Sequence, residues 1–257
     1  MKCTIPWHVA LLTRFFKPCY PVYRWAYFLY KRISDRKLCA YLQDVLAGCP
    51  NDPVILDIGA NIGFFSRFFA QHAGSNARIY AFEPMPDNLD RLRREVATFP
   101  SVTVFPYAVS DREGMSKLAI SPESTIDHHL SNDETDSGEE KIWVRTVAID
   151  DICSDLPRVD IIKMDIQGAE CRALRGMRKV FARSPHCVLV MELWPWGFAR
   201  GGGHCQEFFD LLKELSLTAR TFSGVDTLEY CRKNEQSPNS YINIVVTPQK
   251  IIHERSV

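Results

Sequence analysis

Val54-Ile55-Leu56-Asp57-Ile58-Gly59-Ala60-Asn61-Ile62-Gly63 is the stretch that decides the fold. Val54-Ile55-Leu56 reads as a buried strand that runs into an acid and a glycine-hinged turn. Phe64, Phe65, Phe68 and Phe69 follow at helical spacing, so a strand passes through a tight turn into a helix. Gly59 lets the backbone turn close to a ligand, and Gly63 lets the helix pack tightly on the strand. A plain strand–turn–helix connection would read the same way. Asp57 argues against a pyrophosphate cradle, because a loop built for a dianion rarely places a carboxylate at its mouth.

The same alternation continues outward. Arg78–Phe82 is a second strand, and Pro86 starts a helix whose Leu89, Leu92 and Val96 share one side. Val102–Phe105, Ile142–Ile149, Val159–Met164, Cys187–Met191 and Tyr241–Val246 read as further strands. Helices are expected over Gly168–Phe181 and around Phe208, Leu211, Leu212 and Leu215. Residues 121–140 hold seven acids and no Lys or Arg, and read as an exposed loop. Strands alternating with helices predict an α/β fold, an open and mostly parallel sheet with helices on both faces. In such sheets ligands bind at the carboxyl ends of the strands. The second strand ends in Phe82-Glu83-Pro84, 26 residues after Asp57, where a carboxylate can accept both hydroxyls of a ribose.

Composition bounds the rest. The 257 residues are 46% hydrophobic and 24% charged, which suits one large soluble domain with an appendage and excludes a disordered or fibrous chain. Thirty-one basic and thirty-one acidic side chains cancel, so nothing global points to nucleic acid. Residues 1–48, however, hold eight Lys/Arg against two acids, a net of +6. Nine cysteines, an odd number with no C-x-x-C pair, argue against a disulfide scaffold or structural zinc. No apolar run approaches the roughly 18–20 residues of a membrane span, and the expected location is cytoplasmic.

Four stretches together resemble the FkbM family of S-adenosylmethionine-dependent methyltransferases. They are Val54–Ser66, Tyr80-Ala-Phe-Glu-Pro84, Ala108-Val-Ser-Asp111 and Ile162-Lys-Met-Asp-Ile-Gln-Gly-Ala-Glu170, and the similarity runs from about residue 53 to 247. The resemblance implies a Rossmann-like class I methyltransferase fold, a seven-stranded sheet with its last strand antiparallel. It implies O-methylation of a hydroxyl, on a small-molecule or glycan acceptor such as a sugar or polyketide-type product. Carried onto this chain, Asp57, Gly59, Asn61 and Gly63 would line the methionine and ribose portion of the cofactor, and Glu83 would bind the ribose hydroxyls. Ala108 and Val109 would sit beside the adenine, and Asp165 would face the transferred methyl.

Other candidates come from chemistry. A hydroxyl is a poor nucleophile, so a nearby carboxylate or histidine would help as general base. Asp165, Glu192, His204 and the pair His128–His129 are the candidates, the histidines more simply read as loop bystanders. Glu170 opens a helix, where a carboxylate also suits the dipole. Trp194 and Trp196 beside Glu192 would stack on a sugar ring or pack the rim. Three carboxylates near one pocket raise a divalent metal as the minority alternative, without a recognised ligand spacing. An NAD(P)-linked oxidoreductase shares the glycine loop and the strand-end acid, but Asp57 and Asn61 depart from its pattern. A non-catalytic protein that kept the fold is the rival from another class.

The expected division is a basic, aromatic-rich N-terminal helical extension over residues 1–48 and a methyltransferase domain over 49–257. In the extension Tyr23, Tyr27 and Tyr30 recur with Val22, Ala26 and Leu29 at helical spacing. A lid or dimer arm is the simpler reading; peripheral contact with an anionic membrane is the other.

Overall fold

The computed structural model describes residues 20–120, 129–130, 140–201 and 203–249. Among the described residues two helices come first, α1 (Tyr20–Ser34) and α2 (Arg36–Ala47). The nucleotide-type half follows as β1 (Val54–Ile58), α3 (Phe64–His72), β2 (Arg78–Phe82), α4 (Pro86–Val96) and β3 (Val102–Phe105). A small second sheet interrupts it, built from β4 (Ala108–Val109), β5 (Gly114–Ile120), β6 (His129–Leu130) and β7 (Glu140–Val147). The remainder is α5 (Ile149–Ile152), β8 (Ile161–Met164), α6 (Glu170–Arg175), α7 (Arg178–Arg183) and β9 (Val188–Leu193). Then come α8 (Pro195–Arg200), α9 (Cys205–Glu214), β10 (Leu217–Thr221), α10 (Thr227–Asn234) and β11 (Ile242–Pro248).

The large sheet has seven strands in the order β10-β11-β9-β8-β1-β2-β3, and β11 runs antiparallel to both neighbours. This is the class I methyltransferase arrangement that the resemblance implies. Every residue of β1 is buried because both faces of the sheet are covered, and this is why its sequence is a run rather than an alternation. Strand periodicity sorts the side chains. Ile55, Ile161, Val188, Val190 and Val245 pack with α1, α2 and α3, while Leu56, Ile58, Ile162, Met164 and Met191 pack with the helices of the other face.

Residues on both sides of position 48 share the first of these clusters. Tyr23, Tyr27, Leu38, Leu42 and Val45 are buried against Ile55, Phe65, Phe69 and Ile161. Arg24 of α1 adds an ion pair with the buried Glu95 of α4.

Three expectations differ in detail. The helix expected over Gly168–Phe181 is two short ones, because Gly176 is pressed against the backbone of Ser110 and a side chain there would overlap its carbonyl oxygen. The strand expected over Ile142–Ile149 ends at Val147, and Ile149 begins α5. In the acidic loop, residues 129–130 and 140 belong to strands, and the rest lies outside the described residues. The seven described cysteines are free thiols. Among the described residues no helix is long and apolar enough to cross a membrane.

Candidate active site

Strand register builds the site. Ile58 pairs with Phe82 on one side and Met164 on the other, and Met164 pairs with Met191. The next residue of each strand therefore forms a row across the carboxyl ends: Glu83, Gly59, Asp165, Glu192. Ala108 and Val109 of β4 follow β3, beyond the Glu83 end. A cavity of about 830 Å³, its open mouth included, lies over Glu83, Gly59 and Asp165 of this row, while Glu192 does not line it. It is lined by Gly59, Ala60, Asn61, Glu83, Ala108, Val109 and Asp165 of the expected residues.

The turn after β1 is held by backbone. Gly59 and Ala60 both donate to the carbonyl of Phe82, and Gly59 has φ +78°. A Cβ at Gly59 would overlap the Asp165 carbonyl oxygen, so only glycine lets β1 and β8 approach here. Asn61, at φ 51°, presents its N–H to Glu83 Oε2 at 2.8 Å, and Met85 N–H donates to Glu83 Oε1 at 2.9 Å. Burial pushes the Glu83 carboxyl up to about 7, although those two N–H groups favour its charge.

Asp57 and Gly63 do not line the cavity. Asp57 is fully buried one strand period behind Gly59, where its Oδ2 accepts from Ser66 Oγ at 2.6 Å. Burial raises its carboxyl above the usual range, with Lys163 and Ser66 opposing. Gly63 instead gives way to Leu92 of α4, so the close approach it permits is to that helix rather than to the strand.

Asp165 sits at the other end of the row. Lys163, two residues earlier and therefore on the same face of β8, places Nζ 3.3 Å from Asp165 Oδ2, and Gln167 Nε2 donates to Oδ1 at 2.8 Å. Burial works against its charge, but Lys163 and Lys31 outweigh it and hold Asp165 below the usual carboxylate range. Glu192 is driven the opposite way, up to about 8, by burial and by the Asp165 charge. The two carboxyls, neighbours in strand register, are thus pushed in opposite directions.

The remaining candidates stand elsewhere. Glu170 is buried at the start of α6, and its Oε1 accepts from the Ile166 N–H at 3.4 Å, closing its own loop. Burial raises it to about 7. His204 is an exposed residue ahead of α9, its N–H donating to Glu207 Oε2 at 3.3 Å, and it does not line the cavity. His128 lies outside the described residues. Trp194 is buried and donates to the Pro238 carbonyl at 3.0 Å, a packing role, whereas Trp196 is half-buried with Arg200 over its ring. Among the described residues no three His, Cys, Asp or Glu converge as ligands for a metal ion.

Several lining residues escaped the sequence reading. Lys163 carried a signal, a lysine inside an otherwise apolar central strand, at period two from Asp165. Leu118 and Leu130 reach the cavity from the second sheet, and Tyr27 and Lys31 reach it from α1. Only tertiary packing brings these four in.

Residues 57–222 match the family described as "Methyltransferase FkbM domain". The chain is 30% identical over 200 residues to "2-O-methyltransferase NoeI" of Sinorhizobium fredii, covering 68% of this chain and 77% of that one. It is 29% identical over 150 residues to "Hexuronic acid methyltransferase AglP" of Haloferax volcanii, covering 57% and 58%. It is 33% identical over 127 residues to "31-O-demethyl-FK506 methyltransferase FkbM" of Streptomyces tacrolimicus, covering 48% and 45%.

Proposed function

Because the chain belongs to the FkbM methyltransferase family, we propose that it moves the methyl group of S-adenosylmethionine to a hydroxyl of a glycan or of a glycosylated, polyketide-type metabolite. The observation that carries this reading is the row Glu83, Gly59 and Asp165 beneath one cavity, with Glu192 next in register beside Asp165. The cavity suits the cofactor. Glu83 lines the cavity and accepts the Asn61 and Met85 N–H groups and the Asn88 side chain, which orient its carboxylate toward a ribose hydroxyl. Ala108, Val109, Leu118 and Leu130 offer an apolar patch to a flat base. The relatives named for 2-O-methylation and for 31-O-demethyl-FK506 support a hydroxyl acceptor, and the one named for a hexuronic acid supports a sugar-type acceptor.

When bound, the cofactor supplies an electrophilic methyl on a sulfonium. The chain supplies orientation and a route for the proton. Asp165, kept ionised between Lys163 and Lys31, accepts the acceptor's O–H and aims its oxygen. Glu192, with its raised proton affinity, takes the proton as the oxygen is methylated. Much of the rate would come from holding the acceptor hydroxyl in a reacting position, a task that falls to Asp165 and the cavity walls.

Calorimetry with S-adenosylhomocysteine tests the reading: binding in the micromolar range is expected, on the order of 8 kcal/mol, with no comparable NAD binding. The pH dependence isolates Glu83. Hydroxyl donors favour the ionised carboxylate, and the free site holds its proton up to about pH 7. Affinity should therefore be level above that pH and weaken below it, by at most about tenfold per pH unit. Glu83→Gln should weaken binding by roughly 1.5–3 kcal/mol and abolish the slope. Tight NAD binding with silence toward the homocysteine product sinks the methyltransferase reading, and an unchanged slope in the Gln variant removes Glu83 from it.

The outer side of α1 favours an additional contact with an anionic membrane surface. Val22, Trp25, Leu29 and Ile33 form a stripe 40–69% exposed, and the exposed charges next to it, Arg32, Arg36 and Lys37, are all basic. The protein should sediment with phosphatidylserine vesicles and be released by salt, and Trp25→Ser with Ile33→Ser should abolish this. Equal sedimentation of the double variant would show that the stripe has another use.

A further inference from the structure

We infer that Lys31 of α1 receives the carboxylate at the methionine end of the cofactor, so that a segment preceding the family match completes the cofactor site. The inference rests on S-adenosylmethionine being the cofactor. That molecule presents, in order, an adenine, a ribose diol, a sulfonium-bearing chain and an amino acid. The protein presents groups in a matching order across the strand ends. The apolar patch at Ala108 and Val109 lies beyond β3, Glu83 ends β2, Gly59 ends β1, and the charged group around Asp165 ends β8. A carboxylate entering this last part of a half-buried cavity needs a cation, since an uncompensated buried charge is strongly disfavoured.

Two ammonium groups line the cavity among the described residues, Lys31 and Lys163. Lys163 rises from the floor. Its side chain is 7% exposed, with Nζ 3.3 Å from Asp165 and 4.9 Å from the centre of the Phe65 ring, so it is committed to the carboxylate on its own strand. Lys31 enters from α1, 18% exposed, with Nζ 5.4 Å from the centre of the same ring. Its ion-pair partner is Asp35, one helical turn on, and Asp35 does not line the cavity. Asp35 thus holds Lys31 from behind. An ammonium has three N–H donors, and a partner behind it leaves donors for a ligand in front. Tyr27, on the same face of α1, lines the cavity beside it, and the charges of Asp35 and Asp165 keep Lys31 protonated despite its burial. Lys31 is thus a cation held in place by Asp35 on an element that lies outside the matched residues 57–222.

Two probes separate this role from a merely structural one: S-adenosylhomocysteine, and 5′-methylthioadenosine, which lacks the amino-acid end. Calorimetry on the full chain should show Lys31→Met weakening the first by about 10–100-fold, the worth of a charge-assisted contact. The second should change by less than about twofold. Lys31→Arg should restore most of the loss. Because Lys31→Met strands Asp35, the double variant Lys31→Met/Asp35→Asn repeats the measurement without a lone buried acid. Equal weakening of both probes, or of neither, overturns the proposal. So does failure of both uncharged variants to fold, which makes Lys31 a structural cation. A wild-type protein that binds neither probe defeats the cofactor reading itself, an outcome distinct from all of these.

Discussion

Asp165→Asn should lower methyl transfer by roughly 10²–10⁴-fold, the usual worth of a group that handles the reacting proton, while S-adenosylhomocysteine affinity stays within about threefold. The substitution is nearly isosteric and keeps an acceptor for Gln167, so the loop after β8 retains its shape. What it removes is a charge. Asp165 is the carboxyl that Lys163 and Lys31 keep ionised, and an amide in its place can neither draw the acceptor's O–H toward it nor sustain the raised proton affinity of Glu192. The pH profile gives a second reading. Wild-type turnover should climb with pH toward a plateau above about 8, as the last proton of the Asp165–Glu192 pair is lost from Glu192. Glu192→Gln should flatten that climb. Full activity in the Asn variant, measured as homocysteine product released with any acceptor that supports turnover, removes Asp165 from the chemistry.

Gly59→Ala should destabilise the protein by on the order of 3–5 kcal/mol, the sum of left-handed backbone strain and a backbone overlap. Cofactor binding should vanish with it. The added Cβ would meet the Asp165 carbonyl oxygen and lie 2.9 Å from its carbon, with Ile166 Cγ2 at 3.1 Å. No rotamer relieves a clash with backbone, and parting β1 from β8 would break the bond from Asp165 N–H to the Ile58 carbonyl. Gly74→Ala is the control. Its φ is +83°, equally left-handed, but a Cβ there meets nothing within 4 Å, so about 1–2 kcal/mol of strain is all it adds. Urea unfolding of the two variants measures the difference. Equal midpoints would mean that the approach of the two strands does not constrain position 59. A loss of this size is a large part of the total stability of a typical domain.

The sheet was legible because its strands are short apolar runs separated by helical spacing, and period-two and period-3.6 patterns survive any tertiary context. The cofactor side of the site was legible for a related reason. Register carries the residue after each parallel strand to the same edge, so Glu83, Gly59 and Asp165 had to meet once β1, β2 and β8 were neighbours. Asp57 shows the limit of that logic. It lies within the strand rather than after it, and is covered by Ser66 of α3. Glu170 and His204 are residues whose helix-start role and catalytic role look alike in sequence, and their hydrogen bonds favour the former. Lys31 and Tyr27 were not readable as site residues at all. Their helical spacing shows that α1 has a buried face, but which surface that face meets depends on packing across more than twenty intervening residues.

The raised carboxyls make the molecule's charge depend on whether it is folded and filled. Glu83, Glu170 and Glu192 stand at about 7, 7 and 8, against an ordinary value of 4.5. Folding therefore takes up protons between those limits. The stability these groups contribute is complete below about pH 4.5 and is lost as the pH rises through 7 and 8. A ribose that claims Glu83 in its ionised form must expel the proton it holds near neutrality. On the proposed reading, filling the site would exchange a proton for a cofactor, and the heat evolved should include the ionisation heat of whichever buffer receives that proton.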